Sequence, residues 1–374
     1  CDTLGCDSAC PTAAADFEFF GWINAGFIGN TSSPGSRFNG PYNAVDRSNE
    51  PMLNQLYLVA AKNLPDNGLG LGGRVDFLYG EDYFLAESIG IEKRADGTAH
   101  WNREYYGAAF PQAFASVGNR DLSLQVGHFY SVVGYEGVMA PDNFFYSKSL
   151  SYQFAGPFTH WGTQLNWNAS ENITVQAGLT NGWDAFDRIS DDIGFVGKVR
   201  WDSSRSNTWS SFALVTGKEF NDSSGQLPVD DFTNRTRYSW LLGLPLTDYV
   251  DYVFHHWLGF QEDGAPNGER ADWYGVDQYL TVNLCDKWKA AGRFEWFRDE
   301  EGTRVGLNRP SNPNVPPYIG NFYSISAGLN WIPCDNFVFR PEMRFDWFDG
   351  AGLPFDDGSD DSQVLLGFDG ILSF

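Results

Sequence analysis

The feature that most constrains the fold of this chain is a two-residue alternation of apolar and charged side chains, repeated in many short segments. In residues 336–348, for example, the apolar Phe345 and Trp347 alternate with the charged Arg344 and Asp346. Successive side chains of a β-strand point to opposite faces, so each segment has one apolar face and one charged face. The pattern therefore predicts a sheet that lies between an apolar environment and water.

The alternating segments are joined by connections that are alternately short and long, as in outer-membrane barrels. The predicted strands are residues 17–29, 52–62, 71–80, 107–118, 121–131, 158–169, 172–183, 191–203, 207–218, 236–247, 249–261, 271–284, 287–299, 321–333, 336–348 and 363–374. An even number of strands, sixteen here, places both chain ends on the same side of a closed sheet.

A membrane barrel explains this alternation better than a soluble sandwich, which turns its charges outward and packs its apolar face on a second sheet. An Arg or Lys at the lipid midplane costs about 2–4 kcal/mol, so the charged faces should line a lumen. Aromatic residues make up 17% of the chain, and there is no apolar run long enough for a transmembrane helix. We predict an all-β, antiparallel, sixteen-stranded transmembrane barrel with short periplasmic turns, long extracellular loops and an aqueous channel.

The charged parity of the strands defines a candidate pore wall in which acids and bases alternate. Its residues are Arg74, Asp76, Lys198, Arg200, Asp277, Arg293, Glu295, Arg340, Glu342, Arg344, Asp346 and Asp369. The chain has 25 Lys and Arg against 48 Asp and Glu, a formal net charge of −23. This surplus of acid argues against nucleic acid as a partner and predicts that a pore would prefer cations.

Residues 132–157 are predicted to be one long connection, because a further strand at 145–156 would put the chain ends on opposite sides. Its position resembles that of the loop that folds into the barrel in general bacterial porins, and this resemblance makes the segment a candidate constriction loop. Its candidate pore residues are Tyr135, Glu136, Asp142, Asn143, Tyr146 and Lys148. Glu136 and Asp142 would then face wall bases and create a transverse field. The alternative is a loop that packs outside the barrel with these residues solvated.

The cysteines predict an oxidising compartment with disulfides at the periplasmic face. They are Cys1, Cys6, Cys10, Cys285 and Cys334. Residues 1–16 form a Cys-rich N-terminal periplasmic segment ahead of the barrel, residues 17–374. The pairing stays open, and Cys1 could instead carry a lipid. Zinc is less favoured, because Cys285 and Cys334 lack the paired short spacing of a four-ligand site.

Two further features concern the C-terminal region. The terminal residue Phe374 ends an alternating strand, which resembles the membrane-insertion signal of bacterial outer-membrane barrels. The acidic loop 349–362 holds four weak Ca²⁺ candidates without the EF-hand spacing, so solvated carboxylates are the alternative. These candidates are Asp356, Asp357, Asp360 and Asp361. No other cofactor is expected.

Motifs for catalysis are weak, so we predict that the protein is not an enzyme. A G-x-G-x-x-G pattern at residues 68–73 precedes a strand and has no helix after it, which argues against a dinucleotide site. His255 and His256 point to opposite faces of one strand, and the chain has no G-x-S-x-G sequence.

Several short segments, spread over nearly the full length, together resemble the OmpL-like β-barrel porin family, which is abundant in planctomycetes. These are GWINAG (21–26), FNGP (38–41), DRSNE (46–50), LNQLYL (53–58), GGRVDFLYG (72–80), NFFYS (143–147) and RPEMRFDW (340–347). Residues 1–16 lie outside the resemblance. The resemblance implies an outer-membrane porin but supplies no substrate.

These observations predict passive diffusion of small hydrophilic solutes and ions through a barrel in the lipid of a Gram-negative outer membrane, with periplasmic termini. A homotrimer is the expected assembly. One alternative is a structural barrel whose cysteine segment anchors it to other envelope components. Another is a soluble carbohydrate-binding β-protein, which only the aromatic content favours.

Overall fold

The computed structural model describes residues 17–94, 96–188, 190–221, 232–306, 312–314 and 317–374, and the Cys-rich segment 1–16 falls outside them. The chain folds into a closed antiparallel barrel of sixteen strands. The first eight are β1 Phe17–Asn30, β2 Glu50–Lys62, β3 Gly70–Gly80, β4 Gly107–Ala109 with Ala113–Gly118, β5 Leu122–Tyr130, β6 Thr159–Ser170, β7 Ile173–Thr180 and β8 Gly194–Asp202. The others are β9 Trp209–Phe220, β10 Phe232–Thr247, β11 Val250–Gln261, β12 Ala271–Cys285, β13 Trp288–Asp299, β14 Ile319–Cys334, β15 Phe337–Ala351 and β16 Ser362–Ser373.

The barrel closes where the first and last strands meet. Trp22 of β1 lies opposite Tyr57 of β2 on one side and Ser373 of β16 on the other. Beyond the last strand, the amide of Phe374 donates to the carbonyl of Gly21, and the carbonyl of Phe374 accepts from the amide of Gly21, each at 2.9 Å. Closure pairs the first strand with the last, so neither is left as an open sheet edge.

The predicted strand positions agree with the structure within a few residues, but one strand is broken. The two parts of β4 both pair with β3, and residues 110–112 bulge out between them. The Phe110 carbonyl lies 2.8 Å from His128 Nδ1, and Gln112 Nε2 donates to Asp76 Oδ2 at 2.9 Å. The bulge thus gives its polar groups to partners inside the barrel, which an alternation pattern does not reveal.

The connection between β5 and β6 contains no strand, as the sequence predicted. It holds a 3-10 turn, Ala140–Asp142, and one short helix, α1, Leu150–Phe154. Other 3-10 turns are Glu81–Leu85 and Asp356–Gly358. Among the residues described, no helix has the length and apolar character needed to cross a membrane.

The outer face of the wall is apolar and exposed. Val75, Ile325, Met343 and Leu366 are 49–53% exposed, whereas residues next to them in sequence point inward and are buried, namely Asp76, Ser324, Arg344 and Leu365. A band of exposed apolar side chains around a closed sheet is what a barrel presents to lipid. The strand parity read from the sequence is therefore confirmed.

The interior is more filled than an open aqueous channel would be. At the end that carries the long connections, Trp257, Trp273 and Phe297 point inward and are fully buried. They form one apolar cluster with Phe154 of α1 and with Tyr42 from the first long connection. The long connections thus fold inward and cover the apolar residues that the wall presents at this end.

Candidate functional site: the inner segment and the charged wall

The wall of β12 to β15 carries a row of acids at directly opposite cross-strand positions. Asp277 pairs with Glu295, Glu295 with Ser324, and Ser324 with Asp346. All three carboxylates are 0–1% exposed. The small Ser324 on the middle strand leaves room for the larger side chains on either side.

A row of bases lies two residues along the same strands, on the same inner face. Arg293 and Arg344 both lie opposite Ser326 of β14. Arg293 Nε lies 2.7 Å from Glu295 Oε1, and Arg344 Nε lies 2.7 Å from Asp346 Oδ1. Each base is therefore paired with the acid two residues after it, so the alternating sequence itself supplies counter-charges for the buried side chains.

Residues 132–157, here called the inner segment, lie inside the barrel against these rows. Glu136 Oε1 accepts from Arg293 Nη1 at 2.8 Å and from Tyr279 Oη at 3.1 Å. Glu136 Oε2 accepts from the amide of Ser149 at 2.7 Å, within the same segment. One carboxylate thus joins two parts of the inner segment to the wall.

The backbone of the inner segment is bound by wall side chains of both signs. The amide of Ser147 donates to Glu342 Oε2 at 3.0 Å, and its carbonyl accepts from Arg293 Nη1 at 2.9 Å. The carbonyl of Lys148 accepts from Arg344 Nη1 at 2.9 Å. Arg340, which also binds Asp369 Oδ1 at 2.8 Å, donates to the carbonyl of Ala140 in the 3-10 turn and to that of Asn143 directly after it. The wall charges therefore serve as partners for the inner segment.

The other predicted residues of the segment are placed in different ways. Asn143 folds back and donates to the Met139 carbonyl at 2.7 Å. Tyr146 Oη accepts from Asn54 Nδ2 of β2 at 3.1 Å. Tyr135 is 43% exposed. The side chain of Asp142 is also exposed, so it does not oppose wall bases in the way that Glu136 does.

Lys148 is an ammonium enclosed by the inner segment. Its side chain is 4% exposed, and Nζ donates to the Gly137 carbonyl at 2.7 Å. Burial lowers the pKa of Lys148 to about 8, although neighbouring acids, Asp82 and Glu136 first, oppose the shift. Burial would raise the pKa of Glu136, but Arg293 and Lys148 outweigh it and hold that pKa below its ordinary value.

This arrangement predicts a pH-dependent stability that depends on Lys148. The unfolded chain binds more protons than the folded chain between the folded pKa of about 8 and the ordinary value of 10.5. The Lys148 contribution is therefore unfavourable and constant below pH 8, and is relieved as the pH rises towards 10.5. We expect a relative gain of about 3 kcal/mol over this range. Urea unfolding in micelles should show this gain for the native chain relative to Lys148→Met, and parallel pH profiles of the two would contradict it.

The opposite arc of the barrel, β5 to β8, is lined by uncharged amides. Gln176 Nε2 donates to Asn166 Oδ1 at 2.9 Å, and Asn166 Nδ2 donates to Gln125 Oε1 at 3.1 Å. Lys198 lies opposite Gln176 in the next strand. All four side chains are half-buried, in contrast to the fully buried rows on the other arc. We call Gln125, Asn166, Gln176 and Lys198 the amide strip.

The remaining wall pairs lie away from the two rows. Arg74 Nε donates to Asp76 Oδ1 at 2.6 Å, and Asp76 is fully buried. Arg200 Nη2 lies 2.7 Å from Asp202 Oδ1, and its guanidinium stands 4.2 Å from the Trp209 ring centroid. Arg200 is about one-third exposed, so this pair is the more hydrated of the two.

A cavity of about 870 Å³ lies between the inner segment and the short turns, and we call it the vestibule. The charged residues among its lining are Asp142, Asp202, Asp251, Asp335, Arg200, Lys289 and Arg340. Because Arg340 is bound by Asp369 and Arg200 by Asp202, the acids Asp142, Asp251 and Asp335 outweigh the remaining base, Lys289.

The cysteine prediction receives no support from the part of the chain that the structure describes. Cys285 and Cys334 both carry free thiols, and Cys285 is exposed. Cys334 Sγ donates to Asn336 Oδ1 at 3.2 Å. Cys1, Cys6 and Cys10 lie outside the described residues.

The acidic loop uses its carboxylates as acceptors for serine and backbone groups. Asp357 accepts from the Ser36 amide at 2.9 Å, and Asp356 accepts from Ser359 Oγ at the same distance. Asp360 accepts from the amide of Ser362 at 3.0 Å, and Asp361 is exposed. Within the described residues, no three His, Cys, Asp or Glu side chains form a group that could hold a metal. Calcium binding at this loop stays a prediction.

The sequence reading missed a buried hydrogen-bond chain of Ser239, His255 and Asp277 on three neighbouring strands. Ser239 Oγ lies 2.9 Å from His255 Nε2, and His255 Nδ1 lies 2.8 Å from Asp277 Oδ2. Ser239 is 1% exposed and accepts from the amide of Gly134 at 3.2 Å. This row of hydrogen bonds therefore anchors the inner segment to the wall. Only the strand register brings these residues together. The sequence contained one indication of this site, because His255 lies on the inward-facing parity of its strand.

A comparison with protein families identifies one match. The family model described as "Putative beta-barrel porin-2, OmpL-like" matches residues 16–374. The match therefore covers the whole barrel and leaves out nearly all of the Cys-rich segment. No curated protein sequence matches the chain.

Solved outer-membrane proteins share the fold at low identity. The outer membrane channel DcaP of Acinetobacter baumannii is 11% identical, with a TM-score of 0.61 over 97% of this chain and 99% of that chain. An anion-selective porin from Comamonas acidovorans is 11% identical, with a TM-score of 0.60 over 96% and 99%. The trimer form of OmpT from Vibrio cholerae is 10% identical, with a TM-score of 0.58 over 96% and 99%. At these identities the likeness concerns the fold alone.

Proposed function

Because the chain belongs to the OmpL-like β-barrel porin family, we propose that it is an outer-membrane channel for passive diffusion of small hydrophilic solutes and ions. The observation that carries the proposal is the vestibule of about 870 Å³, which leads from the short turns to the inner segment. A closed barrel with an apolar outer band and a polar internal cavity suits a channel better than an enzyme.

The path past the inner segment follows the amide strip in this proposal. On the β12–β15 arc, the wall charges are in direct contact with the inner segment, which leaves no water layer there. On the β5–β8 arc, Asn166, Gln176 and Lys198 are only half-buried. The amide side chains of Asn166 and Gln176 both donate and accept hydrogen bonds, which suits small hydrophilic solutes without selecting one of them.

We further propose that the channel prefers cations, because unpaired acids dominate the vestibule. In a potassium chloride gradient, the reversal potential of single channels in planar bilayers should show that K⁺ permeates more readily than Cl⁻. Asp142→Asn and Asp251→Asn should each reduce this preference. Asp66→Asn is the matched control, since Asp66 pairs with Arg120 on the exposed surface at 2.8 Å. A reversal potential of the opposite sign would disprove the preference.

The location and assembly follow the same line of argument. We propose a bacterial outer-membrane location with the short turns and both termini at the periplasmic side, the orientation typical of such barrels. A homotrimer is proposed because the OmpT trimer form shares the fold. The exposed apolar band would then be divided between lipid and neighbouring subunits.

A structural barrel is the second candidate, and the filled interior favours it. Arg293, Glu295, Asp346 and Asp369 are all 0–1% exposed, which is unusual for the wall of an open pore. Conductance in planar bilayers separates the two candidates. Stable single-channel steps support the channel, whereas inserted protein with no conductance at any voltage supports the structural role.

A further inference from the structure

Beside the inner segment, Arg237 of β10 is a buried guanidinium without the partners that the other wall arginines have. It is 2% exposed, and its Nε and Nη2 atoms have no hydrogen-bond partner among the described residues. Arg340 and Arg344, by contrast, each bind both a carboxylate and a backbone carbonyl. A buried charged donor without an acceptor is costly, so Arg237 is expected to bind a group from outside the chain.

Arg237 lines a cavity of about 230 Å³ between the inner segment and the wall. Tyr152 lines the same cavity, and its hydroxyl is also buried without a hydrogen-bond partner among the described residues. Much of the remaining lining is apolar or aromatic and includes Val133, Val138 and Phe158. From these contacts we propose that the cavity binds a small organic monocarboxylate, with its carboxylate on Arg237 and Tyr152 and a compact apolar body against the aromatic lining.

The surrounding residues hold the Arg237 guanidinium in an orientation that suits carboxylate binding. A Cβ atom on Gly156 would lie 2.2 Å from Arg237 Nη1, so the side chain packs directly against the backbone of the inner segment. Its other side stands 6.0 Å from the ring centroid of Trp257. A planar donor fixed in this way can bind both oxygens of a carboxylate, as guanidinium groups often do.

The nearby acids restrict the charge of the ligand. Glu136 lines the cavity but is paired with Arg293, and Asp142 lines both this cavity and the vestibule. Asp277 uses Oδ2 for His255 and Ser151, whereas its Oδ1 has no partner. These carboxylates disfavour phosphate and other multiply charged anions. Because Asp142 and Tyr135 line both cavities, the ligand would enter from the vestibule.

This inference rests on the proposed channel function, and it is tested by binding, which needs no conductance. Equilibrium dialysis of the full chain in detergent, at constant ionic strength, compares benzoate with benzyl alcohol and benzylamine. These three probes share a benzene ring and differ in charge, which is negative, zero and positive respectively. We expect benzoate to bind at least tenfold more tightly than benzyl alcohol, and benzylamine to bind no better than the alcohol.

Substitutions test whether Arg237 and Tyr152 account for the preference for benzoate. Arg237→Gln should abolish the preference for benzoate, and Tyr152→Phe, which keeps the ring, should weaken benzoate several-fold. Arg120→Gln is the control, because Arg120 pairs with Asp66 on the exposed surface at 2.8 Å and lines neither cavity, and it should leave benzoate binding unchanged. Equal binding of benzoate and benzyl alcohol, or unchanged benzoate binding to folded Arg237→Gln or Tyr152→Phe, would overturn the proposal in favour of a water molecule between Arg237 and Asp277. If the native protein binds benzoate but shows no conductance in planar bilayers, only the proposed channel function is rejected.

Discussion

Replacing residues 132–157 by Asn-Gly is expected to raise the single-channel conductance several-fold. The inner segment occupies the barrel beside the charged wall, so its removal widens the narrowest part of the proposed path. The flanking strands can accept this change, because Tyr130 and Thr159 are cross-strand partners and the Ser131 amide donates to the Phe158 carbonyl at 2.9 Å. Asn-Gly is the preferred sequence for a two-residue hairpin turn.

The measurement is the conductance of single channels in planar bilayers, for the native chain and the shortened chain. Circular dichroism and the electrophoretic mobility of unheated samples control for the integrity of the barrel. An unchanged conductance in an intact barrel would mean that the inner segment does not narrow the path. A rise in conductance from zero would mean that the segment closes the native barrel, which agrees with the structural candidate.

Arg293→Met is expected to be the most destabilising single substitution on the wall. Arg293 binds Glu136 and the Ser147 carbonyl of the inner segment and lies 2.7 Å from Glu295 on its own strand. Removing it leaves two buried carboxylates without their main counter-charge. Breaking a buried pair in this way costs about 3–5 kcal/mol.

Urea unfolding in detergent micelles measures this loss, and Arg200→Met is the matched control. Arg200 also pairs with an acid two residues away, but both side chains are at least one-third exposed. An exposed pair contributes about 0–1 kcal/mol, so the control should unfold almost like the native chain. Equal midpoints for the two variants would show that the buried rows do not hold the inner segment.

The strand map was predictable because it depends on local chemistry. Each strand alternates between lipid and interior, so Phe345 and Arg344 reveal their faces without knowledge of any neighbour. The broken β4 was not predicted from alternation, although Pro111, which has no amide hydrogen for the ladder, is a signal for a bulge. The partners of the bulge, His128 for the Phe110 carbonyl and Asp76 for Gln112, lie on other strands and were not predictable from this segment.

The sequence predicted which residues belong to the candidate site, but it did not predict which of them are in contact. The sequence selected Glu136 and Arg293 as groups that face each other across a transverse field, whereas Glu136 Oε1 and Arg293 Nη1 are in direct contact at 2.8 Å. Arg237 and Ser239 were not selected, although both lie on the inward parity of β10. Their roles depend on which residues of the inner segment reach them, namely Gly156 and Gly134.

The sequence by itself determined a sixteen-stranded closed barrel and the face to which each wall residue points, because the two-residue period and the cost of charge in lipid act at every strand. Only the tertiary structure decided how the interior is used. Contacts such as Ser147 with Glu342, or Ser239 with His255, join residues far apart in the chain or on neighbouring strands. They depend on strand register and on the path of the inner segment, and neither leaves a periodic signal in the sequence.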